Sequence, residues 1–85
     1  MNVAKEAPKN FHIIAGAFEF KENAEKKLKQ LHAKGFDAKI IGKNRWGLTQ
    51  VTYASFSTRQ DAFKSLSDIR IKHSNDAWLL IKKPQ

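Results

Sequence analysis

The side chains that could do chemistry in this 85-residue chain are eight acids, three histidines, a few serines, two tryptophans and 16 lysines and arginines. Catalysis would need them in constellations. Glycoside hydrolysis needs two carboxylates flanking one bond. Here Glu22, Glu25, Asp61 and Asp68 fall in helical stretches, Glu6 lies near the start, and Asp37 and Asp76 open outer strands. His12, His32 and His73 are scattered without metal-ligand spacing. Ser55, Ser57 and Ser65 have no His/Asp set to activate them. The pattern points away from an enzyme, and neither a cofactor nor a metal is expected. What remains is binding. Trp46 and Trp78 supply aromatic planes, and a net charge of +8 favours anionic partners: nucleic acid, membrane surfaces or cell-wall polymers.

These groups must be positioned by a small scaffold. The length allows one domain with one modest core. With 41% hydrophobic and 28% charged residues, the composition is that of a folded domain. There is no cysteine, so no disulfide or thiolate site holds it together. No apolar run approaches the roughly 18 residues that span a bilayer. Met1 to Asn10 is polar and has no signal-peptide core. The expectation is a cytoplasmic protein or a module without its export segment.

A repeat at an offset of 38 residues sets the architecture. AFEFKENAEKKLKQL (residues 17–31) matches SFSTRQDAFKSLSDI (residues 55–69). Phe18 pairs with Phe56, Ala24 with Ala62, Leu28 with Leu66 and Leu31 with Ile69. Gly16 and Ala54 precede the two copies. Each copy runs from a β-prone stretch through a turn and a helix to a second apolar stretch. In each helix the three apolar repeats fall at i, i+4 and i+7, on one face. Thr58 with Asp61 resembles a capping box, and Gly35 ends the first helix. Two such units predict an α+β, βαββαβ ferredoxin-like (RNP-like) fold. In it a four-stranded antiparallel sheet carries both helices on one face. The expected boundaries are a flexible tail over residues 1–9 and a single domain over 10–83.

Strand side chains alternate between faces. The repeat assigns Ile13, Ala15, Ala38, Ile40, Val51, Tyr53, Ala77 and Leu79 to the helix side. The outer set is then His12, Ile14, Lys39, Ile41, Leu48, Gln50, Thr52, Trp78 and Leu80, with Trp46 at the strand's entrance. That set predicts an exposed apolar and aromatic patch, suited to flat ligands such as sugar rings or bases. An oligomer interface, or a register slip of one residue, would account for it differently.

FHIIAGAF, KENAEKKLKQLHAKGFDAKII, VTYASFSTRQDAFKSLSDIR and NDAWLL, in this order and spacing, resemble a SPOR domain, the sporulation-related repeat of bacterial division and cell-wall proteins. The version here is similar to Bacteroidetes-like forms. The resemblance runs from about Phe11 to Ile81. It implies a non-catalytic module that binds denuded glycan, meaning strands stripped of stem peptides, on its open sheet face. It also implies a place in the cell envelope, at the septum or wall, within an exported or membrane-anchored parent. Other division or cell-wall proteins are possible partners, and a membrane would be met only through a parent segment. The family's first-strand glutamine and serine are replaced here by Ile14 and Ala17. Leu48 and Gln50 stand where its third strand often has an aromatic and an arginine.

On that resemblance Trp78 and Trp46 would stack on sugar faces. Gln50, Thr52 and His12 would hydrogen-bond hydroxyl, N-acetyl or lactyl groups. Lys39, Lys43 and Arg45 would attract the lactyl carboxylates of N-acetylmuramic acid. Ile14, Ala17 and Leu48 complete the expected surface. Two rival readings share the topology. The RNA-recognition module needs aromatics where Leu48 and Gln50 lie, and an outward aromatic where Ile14 lies. Moreover Lys21, Lys26, Lys27, Lys29, Lys34, Arg59, Lys64, Arg70 and Lys72 are in or beside the helices, so nucleic acid is not the expected partner. A protein–protein adapter in cell division is the other.

Overall fold

The computed structural model describes residues 9–82. Apart from Lys9, the tail expected over residues 1–9 lies outside the described residues, as does Lys83. The elements are β1 (Phe11–Phe18), α1 (Lys21–Ala33), β2 (Lys39–Lys43), β3 (Thr49–Phe56), α2 (Arg59–Lys72) and β4 (Trp78–Ile81). They form one antiparallel sheet in the order β2-β3-β1-β4. This is the α+β ferredoxin-like arrangement that the repeat predicts.

Both helices pack on the same face. Ala24 and Leu31 of α1 and Leu66 and Ile69 of α2 share one cluster with Ile13, Val51, Tyr53, Ala38 and Ala77, and Ala15, Ile40 and Leu79 pack against it. Each fully buried Ile, Leu or Val contributes about 1.5–3 kcal/mol by leaving water. All eight strand residues assigned to the helix side are therefore in or against the core.

The repeat is also visible in the pairing of the two central strands. Phe11 pairs with Phe56, His12 with Ser55 and Ile13 with Ala54. After an irregularity Ile14 pairs with Thr52, and then Gly16 with Val51, Ala17 with Gln50 and Phe18 with Thr49. The residues passed over are Ala15 and Tyr53, 38 apart, so each copy carries its β-bulge at the same position. A bulge sets two residues of one strand against one of its partner and bends the strand. Cross-strand partners share a face. Ile13 and Ala54 therefore face the helices together, and so do Phe18 and Thr49. Strict alternation fails at the bulges for this reason. Ala17 and Ser55, which period-2 counting puts inside, are outward.

Gly16 is not a left-handed turn residue: the positive φ values belong to Gly35, Gly42 and Gly47. What Gly16 provides is room. A Cβ there would lie 2.9 Å from the tip of the Phe18 ring, which folds back over it on the same face.

The helix ends explain how the outer strands are launched. Gly35, at φ 92°, closes α1 through Phe36 N–H to Leu31 O (3.0 Å) and Gly35 N–H to His32 O (3.0 Å). Leu31 and Phe36 then meet in the core, as expected of a Schellman closure. One device occurs in both copies. His32 Nε2 donates to Ala38 O at 2.8 Å, and Arg70 Nε donates to Ala77 O at 2.9 Å. In each case a polar side chain near the helix end ties down the buried alanine that precedes the next strand. The starts differ. Thr58 Oγ1 accepts from Asp61 N–H at 3.2 Å, whereas Phe20 at the head of α1 makes no side-chain cap. No helix among the described residues is long and apolar enough to cross a membrane.

Candidate functional site

The sheet face away from the helices is carried by the two central strands and rimmed by β2 and β4. Its floor is His12, Ile14 and Ala17 of β1 with Ser55, Thr52 and Gln50 of β3, paired one against one. On the β4 side Trp78 stands opposite Ile14 and Leu80 opposite His12. On the β2 side Lys39 stands opposite Thr52. The Lys39 backbone and the Thr52 hydroxyl are also within hydrogen-bonding reach of each other: Lys39 N–H to Thr52 Oγ1 at 3.2 Å, and Thr52 Oγ1 to Lys39 O at 3.4 Å.

The floor is closed. Ile14 and Thr52 are 0% exposed, Gln50 7% and His12 8%. This corrects the expectation of a broad exposed apolar patch. These four have little surface to offer a ligand, and Ala17 and Ser55 beside them are half-buried. The accessible members of the expected set are on the rim and beyond it: Trp78 (42% exposed), Lys39, Lys43, Arg45 and Trp46 (72% exposed).

A second correction concerns Lys43. The β2–β3 register is irregular between Ile40 and Lys43, and Lys43 pairs with Thr49, which shares the helix side with Phe18. Lys43 thus lines a surface groove of about 280 Å³ with Glu19, Lys21, Ile40, Gly42 and Thr49, and is not part of the outer face with Lys39. Arg45 and Trp46 sit in the β2–β3 turn, where the Arg45 guanidinium lies 4.8 Å from the Trp46 ring centroid. Such a cation–π contact presents the two as one unit.

Asn44, which the sequence reading passed over, organises that turn. Its Oδ1 accepts from Trp46 N–H and Leu48 N–H, both at 3.0 Å, and its own N–H donates to Leu48 O at 2.9 Å. Leu48 is held half-buried at the start of β3. An asparagine between two glycines is a signal for this kind of side-chain-built turn. Ser55 was also missed. Its Oγ lies 2.7 Å from His12 Nδ1. The repeat pointed to it, since Ser55 is the mate of Ala17.

His12 is the polar centre of the floor. Burial lowers its pKa below the ordinary 6.5, and the Lys82 and Lys39 ammonium groups lower it further. Folding therefore favours the neutral ring. Its contribution to stability is complete above pH 6.5 and is lost as pH falls through the depressed folded value. Thermal unfolding followed from about pH 8 to about pH 5 should show the midpoint falling below pH 6.5, with a shallower fall in His12→Asn. Parallel profiles for the two proteins would remove His12 as the cause.

Lys82 also comes to this face. Its N–H continues the ladder beyond β4 by donating to Asn10 O at 2.8 Å. Its side chain has the outward parity of Trp78 and Leu80, and its Nζ donates to Ile41 O of β2 at 3.3 Å. The two edges of the sheet are thereby joined on this face.

Comparison with known proteins gives one match. The family model for the SPOR domain matches residues 7–80, nearly the whole chain. No curated protein and no solved structure matches the chain significantly.

Proposed function

Because the chain belongs to the SPOR domain family, a family of peptidoglycan-binding modules rather than enzymes, we propose that it recognises glycan strands freed of their stem peptides, through the outer sheet face. It would thereby bring a parent protein to the septum or the cell wall. The observation that carries this reading is the rim of that face. Trp78 stands on one side as a part-exposed aromatic plane, Lys39 stands on the other, and no acidic residue lies among the outward strand positions.

The chemistry follows from the rim. An indole packs against the apolar C–H face of a pyranose, and the cations draw in the lactyl carboxylate that is free once the peptide is gone. The buried floor gives the face its shape; there Thr52 bonds to the Lys39 backbone and His12 to the Ser55 hydroxyl. Trp46 and Arg45, exposed together in the β2–β3 turn, are candidates for a second contact further along an extended strand.

The test is a pull-down with purified sacculi before and after amidase treatment. Binding should rise after the amidase has removed stem peptides. Equal binding to treated sacculi, untreated sacculi and an unrelated anionic polymer would reduce the interaction to charge and sink the reading.

A further inference from the structure

Lys82 occupies an unusual position. It follows β4, at one edge of the sheet, yet its ammonium is bonded to the carbonyl of Ile41 in β2, the opposite edge. Three strand spacings of about 4.8 Å separate the edges of a flat four-stranded sheet. That distance is too long for a lysine side chain. The bond therefore requires the sheet to twist and curl enough to bring the two edges together on the outer face. Lys82 thus lies across the floor as a strap.

The strap is held by a weak anchor. Ile41 O is a neutral acceptor at the irregular part of the β2–β3 pairing, 3.3 Å away. An ammonium bonds more strongly to a carboxylate than to a neutral carbonyl. Lys39 lies on the same face, and His12 feels the field of both lysines. Among the described residues, two cations and no outward strand acid therefore face whatever enters.

We infer that Lys82 is the carboxylate-selecting residue of this face: its ammonium exchanges the Ile41 carbonyl for an acid group on the ligand and closes over the bound strand. The inference rests on the glycan reading above and gives it a selectivity. Acid-bearing muramoyl glycan is preferred to a neutral polymer of N-acetylglucosamine with the same sugar backbone. Trp78 supplies affinity for either, because both present pyranose faces, and Lys82 separates them.

The experiment measures binding of amidase-denuded glycan and of chitooligosaccharide of matched length by titration calorimetry. The proteins are the wild type, Lys82→Met, which keeps the stem without the charge, and Lys82→Arg. Thermal unfolding verifies that each variant is folded. The wild type should prefer the acidic glycan by about tenfold, the size of one charge-assisted hydrogen bond. Lys82→Met should lose that preference and keep its affinity for chitooligosaccharide, and Lys82→Arg should retain it. Wild type binding both ligands equally, or Lys82→Met keeping the preference, overturns the role of Lys82 and leaves glycan binding standing. Wild type binding neither ligand removes the glycan reading and this inference with it.

Discussion

Replacing Trp78 with alanine is expected to abolish most glycan binding while leaving the domain folded. The residue is 42% exposed at the edge of the sheet, so the indole is divided between two tasks. One side shields Ile14, its direct cross-strand neighbour. The other is free for a ligand. An aromatic anchor of this kind is commonly worth 2 kcal/mol or more on truncation, which corresponds to about a 30-fold loss of affinity. The stability change should be smaller, a drop of several degrees in Tm for a domain of this size. Trp78→Tyr, which keeps a ring, should recover part of the binding. Glycan titration and thermal unfolding on the same samples separate the outcomes. Unchanged affinity would move the site elsewhere, and an unfolded Trp78→Ala protein would make the residue a core element.

Ile14→Ala is expected to cost nearly as much stability as Ile13→Ala, although the two side chains point to opposite faces of the sheet. Both are 0% exposed. Ile13 belongs to the main core under the helices. Ile14 is enclosed between Thr52 and Trp78, its partners on the two neighbouring strands. Truncating a buried isoleucine to alanine typically costs about 2–5 kcal/mol. The whole stability expected for 85 residues is only about 4–13 kcal/mol, so either change removes a large share of it. Urea unfolding of the two variants provides the comparison. A cost below about 0.5 kcal/mol for Ile14→Ala, typical of surface substitutions, would mean that the outer face is open after all.

The sequence made the fold legible because its signals were redundant. Apolar positions at i, i+4 and i+7 occur in both helices, and the two copies vouch for each other. Gly35 and Thr58 mark a helix end and a helix start by local chemistry alone, and both are found in those roles. The face assignment held for the eight core positions because they lie in stretches where alternation is regular. Alternation alone would have misplaced Ala17 and Ser55, beyond the bulges; the family resemblance put Ala17 on the outer face, where it is, and only Lys43, beyond the β2 irregularity, left the face expected for it. Irregular pairing is a property of two strands, and one strand's composition does not reveal it. The burial of the floor was equally hidden. Alternation says which way Ile14 and Thr52 point, but their enclosure depends on residues distant in the chain. Lys82, one position beyond the last strand and bonded to a residue 41 positions earlier, carried no pattern at all.

The paired bulges place a constraint on how the domain can change length. Ala15 and Tyr53 are each one residue in excess of a regular ladder, and the pairing on either side of them has the same register. Losing one alone would leave a central strand a residue short of its partner and would shift the pairs on one side of the gap. Losing both would restore step for step the partners that now face each other, since the excess residues project to the core side. The two halves are thus tied like the two sides of a zip: a deletion tolerated in one copy requires its counterpart 38 residues away. Variants of this domain that shorten the central strands should do so in matched pairs, however far the two copies have diverged elsewhere.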